Sequence, residues 1–146
     1  MKNIIILFLL FGCVPPDSIV NYDTEKATNT IKETELFNGV NTYRNSLWLP
    51  KLRTDEFARI LAEKHNLEMI RYDSISHNNF PLRLQILTNK GAISVGEIVG
   101  YGYCTTEGIL NAFKNSQSHN SILIGSFNYV GISIIDDYYT LIFIRI

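Results

Sequence analysis

The chain has 146 residues, of which 46% are apolar and 18% charged, and its formal charge is −1. That length suits one compact domain with short additions and excludes two ordinary domains, while the apolar share supplies a packed core and excludes bulk disorder. A near-neutral chain without a basic stripe offers nucleic acid nothing to bind, so no nucleic-acid partner is expected.

The chain opens with "MKNIIILFLLFGC", one Lys and then an apolar run from Ile4 to Phe11. The run is far short of the roughly 20 residues of a membrane-spanning helix and has the size of a signal-peptide core. "LFGC" resembles a bacterial lipobox, in which cleavage precedes a Cys that becomes lipidated. Residues 1–12 are therefore expected to be a signal peptide and Cys13 a lipid anchor in a membrane. Plain secretion and an uncleaved anchor are the alternatives. Residues 13–33 are polar, hold two prolines and show no period, which predicts a flexible tether. The domain is expected over 34–146. Only Cys104 then remains, expected to be a small buried hydrophobe without an intrachain disulfide.

Within the domain, Leu36, Phe37, Val40 and Tyr43 fall at near-helical spacing, and Pro50 discourages continuation beyond "NSLWLP". "RTDEFARILAEKHNLEMIRYD" predicts a second helix capped by Thr54, with Phe57, Ile60, Leu61, Ala62, Leu67 and Ile70 as its apolar face. "SISHNNF" reads as loop or short strand, and "PLRLQILTN" as a short helix with Pro81 in its first turn. "AISVGEIVGYGY" reads as a strand that bends or bulges. "TTEGILNAFKNS" is a helix capped by Thr105 or Thr106. "NYVGISIIDDYYTLIFIRI" predicts two strands joined at Asp136-Asp137. Helices first and strands mostly last predict an α+β fold with an antiparallel sheet.

Three residues at element boundaries carry chemistry: His77 in "SHNNF", Glu97 in "VGEIVG" and His119 in "SHNSIL". Boundary positions can converge on one groove. Two imidazoles and a carboxylate can share protons or hold a divalent cation such as zinc. Spacing alone leaves open that these are ordinary loop and strand residues.

The order of these segments resembles the CAP superfamily (cysteine-rich secretory proteins, antigen 5 and pathogenesis-related-1 proteins, also called SCP domains), in its short bacterial branch without disulfides. "VNTYRNSLWLPKLRTDEFARILAEKHNLEM" is similar to the family's opening, with Asn41, Arg44, Leu52 and the Ala62–His65–Met69 pattern. "SHNNFPLRL" places His77 before Arg83, "VGEIVGYGY" resembles the GEN motif around Glu97, and "AFKNSQSHNSIL" resembles the W-x-x-S-x-x-H-x-x-x-I-L motif with Phe113, Ser116 and His119. The closing strands also match. Ile98 stands where the family has Asn, and Phe113 where it has Trp.

The resemblance implies an α-β-α sandwich with a small antiparallel sheet. It also implies a cleft on one side of that sheet where His77, Glu97, Ser116 and His119 meet. A carboxylate between two imidazoles would raise their pKa values, whereas a cation held by His77 and His119 needs them neutral. Family members have been linked to lipid or sterol binding, to partner binding and to proteolysis, so the fold does not fix the activity. The leading expectation is an envelope lipoprotein acting as a binding module for a lipid, envelope component or protein partner rather than as an enzyme. One rival is a metal-dependent hydrolase with Glu97 as general base. Another is an interaction protein with a vestigial site. Ser116 as nucleophile lacks an oxyanion-hole element. His65 reads as a partly buried polar residue near the groove, Arg44 and Arg83 as structural partners of carboxylates or carbonyls, and the tyrosines 101, 103, 138 and 139 as sheet packing.

Overall fold

The computed structural model describes residues 22–146; the expected signal peptide, Cys13 and the first part of the tether lie outside the described residues. In chain order the elements are α1 (Tyr22–Ser46), β1 (Arg53–Thr54), α2 (Glu56–Tyr72), α3 (Phe80–Asn89), β2 (Ser94–Tyr101), α4 (Thr106–Asn115), α5 (Gln117–Leu123), β3 (Tyr129–Ile135) and β4 (Tyr138–Arg145). The sheet order is β1-β3-β4-β2. β3 pairs with β4, and β4 with β2, antiparallel. The short β1 runs parallel to β3, so the expected antiparallel sheet carries one parallel pair at its edge. The two-residue β1 forms because the chain, turned back after α1, runs beside β3 before α2 begins.

The period of two along the strands builds the sandwich. Tyr139, Leu141 and Phe143 of β4 point to one face, with Leu36 and Val40 of α1, Ile109 and Phe113 of α4, and Leu123 of α5. Ile142 and Ile144 point to the other, with Ala58, Leu61 and Ala62 of α2 and Leu87 of α3. Contact between α2 and the sheet is close enough that a Cβ on Gly131 would overlap the α2 backbone at Ala58 and Arg59. Asn66 ties the same layers: its amide donates to Ser133 O at 2.9 Å and accepts from Thr140 Oγ1 at 2.6 Å. At the hairpin, Asp136 and Asp137 both take positive φ, 45° and 60°, as a tight turn matched to strand twist requires.

Several boundaries differ from the sequence reading. α1 starts at Tyr22 rather than near Thr34, so the later part of the expected tether is helical. Its polar residues lean on the sheet instead of packing into it: Glu33 accepts from Ile134 N at 3.0 Å, and Lys32 reaches Asp137 at 3.6 Å. The cap of α2 is Asp55, whose side chain accepts from Ala58 N at 2.7 Å; Thr54 belongs to β1. The buried α2 face is Ala58, Leu61, Ala62, His65, Asn66 and Met69, and Ile60 and Leu67 are exposed. β2 pairs in unbroken register with β4 and has no bulge. "QSHNSIL" forms α5 instead of a loop. Cys104 is exposed rather than buried and is disulfide-bonded. The tyrosines pack as expected, with the rings of Tyr101 and Tyr138 4.4 Å apart and Tyr139 Oη donating to Tyr103 O at 2.6 Å.

Candidate functional site

Glu97 lies on β2, the edge strand opposite β1. Its neighbour Ile98 points into the core shared with α1 and α4. The alternation of the strand therefore sends Glu97 to the α2–α3 face. Ile98 serves as core and leaves the bracing of Glu97 to other residues.

Those residues are Arg83 and His77. Arg83 grips the carboxylate in a fork, Nε to Oε2 at 2.7 Å and Nη2 to Oε1 at 2.8 Å. His77 Nδ1 meets Oε1 at 2.9 Å. The carboxylate accepts all three bonds, so Nδ1 carries a hydrogen, and Nε2 is the ring nitrogen not engaged by Glu97, an open lone pair whenever the ring is neutral. The Glu97 side chain is 1% exposed and that of His77 is 51% exposed. A buried, forked carboxylate thus holds an imidazole that faces solvent.

The loop carrying His77 is pinned on both sides. His65 Nε2 lies 2.7 Å from Ser76 O, and Arg83 Nη1 donates to Asn78 O at 2.8 Å. His65 is buried on α2 and comes within 4.0 Å of Glu97 Oε1. It is a buried polar residue beside the site, as read from the sequence, and it also fixes the His77 loop. Arg83 is the structural partner that was expected. Its grip on Glu97 itself was not foreseen, although its place two turns of chain after His77 was a usable signal. Arg44, also as expected, binds carbonyls, at Pro50, Leu123 and Gly125.

His119 comes from α5, whose Leu123 belongs to the opposite layer. The His119 ring stands edge-on to Phe113, with centroids 5.2 Å apart. Partial burial first, and then the charge of His77, hold the His119 pKa below its ordinary value. This reverses the expected direction: desolvation and a like charge act on His119, while Arg83 and His77 take the carboxylate. Ser116 ends α4 and precedes α5; its Oγ lies 3.2 Å from Ser118 Oγ, a hydroxyl pair at a helix junction.

A divalent cation fits the donor set in a limited way. His77 presents Nε2 while Glu97 holds Nδ1, the arrangement by which a carboxylate orients a ligating histidine. His119 favours the neutral form a metal needs. Among the described residues no cluster of three or more His, Cys, Asp or Glu side chains is set to hold a metal.

No protein-family profile matches the chain, and no curated protein matches it. Solved structures do. An extracellular SCP-domain protein of Bacillus anthracis superposes with a TM-score of 0.81 at 25% identity, over 88% of this chain and 45% of that one. A cysteine-rich secretory protein of Staphylococcus aureus gives 0.72 at 23% identity, over 81% of this chain and 39% of that one. An outer surface protein of Borrelia burgdorferi gives 0.70 at 20% identity, over 79% of this chain and 92% of that one. This chain thus spans less than half the length of the Bacillus and Staphylococcus proteins.

Proposed function

From the fold it shares with bacterial SCP-domain structures, we propose that the chain is a bacterial member of the CAP (SCP) superfamily and an exported binding module whose site is the imidazole of His77 together with His119. Export is supported by the extracellular, secretory and outer-surface descriptions of the three similar structures and by the signal-like N-terminus. The observation that carries the binding reading is the state of Glu97. Both of its oxygens are engaged by Arg83 and His77, and its side chain is buried. A general base needs an oxygen facing the water it deprotonates. Glu97 is instead arranged to orient His77, which favours a binding module over the hydrolase reading.

The ligand is a divalent cation, zinc by the chemistry of two imidazoles, or a polar group that donates to His77 Nε2. With two protein ligands, one fewer than common catalytic zinc sites, affinity for the bare ion is modest. Zinc calorimetry tests this. One site is expected in the wild type, lost in His77→Ala and in His119→Ala. Glu97→Gln should weaken it by about 10–100-fold, as loss of an orienting carboxylate does. Zinc binding unchanged in His77→Ala would overturn the reading.

Anchoring to the envelope through lipidated Cys13 rests on the lipobox-like "LFGC". The chain has two cysteines, so a lipid on Cys13 and an intrachain disulfide of Cys104 exclude each other. The intact mass of the protein isolated from membranes decides: the added mass of acyl chains supports the anchor, and the bare disulfide-linked mass refutes it.

A further inference from the structure

We propose that the end of the molecule bearing Trp48 is a membrane-docking face that seats on an anionic lipid surface. The indole of Trp48 is 95% exposed, at a backbone φ of 59° that bulky residues rarely adopt. The turn that presents it is rigid. Leu47 N and Leu49 N both donate to Arg44 O, and Trp48 N donates to Asn45 O, each at 3.0 Å. The buried Arg44 side chain adds a bond to Pro50 O at 3.0 Å. The same guanidinium donates to Leu123 O and Gly125 O at 2.8 and 2.9 Å, which fastens a second turn to this end. Leu47 and Ile124, one on each turn, are exposed as well.

Charge chooses the partner. No acidic residue occurs between Glu35 and Asp55 or between Glu107 and Asp136. Sheet register sets Arg53 beside Tyr129 and Tyr129 opposite Ile144, so Lys51, Arg53 and Arg145 share this end, all exposed. Nearby acids are engaged: Asp55 caps α2, and Glu56 pairs with Arg59 at 2.8 Å. The other end is acidic, with Asp73, Asp136, Asp137 and Glu25 around the hairpin. A chain of net charge −1 thus has a basic, Trp-tipped end and an acidic end, and an anionic surface turns the first toward itself. A projecting indole with aliphatic neighbours and flanking Lys and Arg is the composition that favours the water–bilayer boundary. The proposal is independent of the histidine site.

Trp48 is the chain's single tryptophan, so its emission reports on this turn alone. The full chain carrying Cys13→Ser, which accepts no lipid there, is titrated with vesicles of phosphatidylglycerol mixed with phosphatidylcholine, and with phosphatidylcholine alone. The proposal predicts a blue shift and quenching by brominated acyl chains on the anionic vesicles, absent on the neutral ones. The double variant Lys51→Gln/Arg53→Gln should lower the partition coefficient read from that shift by about 30-fold. Circular dichroism checks that this surface variant is folded. Unchanged Trp48 emission on anionic vesicles overturns the proposal, even if the chain sediments with them through its N-terminus. So does equal binding by the double variant. A shift produced only by an envelope protein also overturns it, in favour of a protein partner.

Discussion

Replacing Arg83 with Met would remove both arms of the fork on Glu97 and the bond to Asn78 O. Met keeps much of the apolar stem, so the change is mainly electrostatic. Glu97 would be left with His77 as its charge-assisted partner while its side chain is 1% exposed. Breaking a buried pair from one side costs about 3–5 kcal/mol, because the remaining charge stays desolvated. For a domain of this size that lowers Tm by roughly 10–20 °C. The double variant Arg83→Met/Glu97→Leu removes both charges and should recover much of the loss, since apolar replacement of a whole buried pair is often near neutral. Urea denaturation of wild type, both single variants and the double gives the coupling directly. A cost under about 1 kcal/mol for Arg83→Met, or additive losses in the double, would refute the picture of a dry, mutually dependent pair.

Three further outcomes follow from the same geometry. The folded-state pKa of His119 is lowered by burial and by His77, so its contribution to stability is present above the ordinary histidine pKa and is lost as pH falls through the folded value. His119→Gln should therefore flatten the acid side of the stability–pH curve below about 6.5, and an unchanged slope there would count against the assignment. Asn66→Ala strands Ser133 O and Thr140 Oγ1 in the core and should cost about 2–6 kcal/mol in urea, at 1–3 kcal/mol for each unpaired group; a loss below 1 kcal/mol would contradict it. Gly131→Ala must push α2 off the sheet and should lower Tm by at least several degrees, as overpacking of about 1–3 kcal/mol does; a neutral result would show that α2 shifts freely.

What the sequence made legible is what local pattern determines. The Asp136-Asp137 hairpin, the Thr105 cap and Pro81 in the first turn of α3 depend on neighbouring residues, and all appear in the fold. Misread features depend on distant partners. His65 and Asn66 face inward because Ser76, Ser133 and Thr140 receive them, so the buried stripe of α2 is polar in its middle and Ile60 and Leu67 are left outside. The front of α1 has no apolar period because it rests on the hairpin through side-chain oxygens and nitrogens. Among the site residues, His77 and Glu97 meet as the family resemblance implied. Arg83's claim on both oxygens was not legible, since a carboxylate's partner is set by tertiary position rather than spacing. That partner is what changes Glu97 from a candidate base into the residue that orients His77.

The central claim is best tested by zinc titration followed through the ring nitrogen and proton signals of the three histidines by NMR. The account predicts that free His77 carries its hydrogen on Nδ1, and that the His77 and His119 rings shift together to a one-to-one end point while buried His65 stays still. A free His77 with its hydrogen on Nε2, or zinc that moves His65 and leaves His119 unchanged, would contradict it.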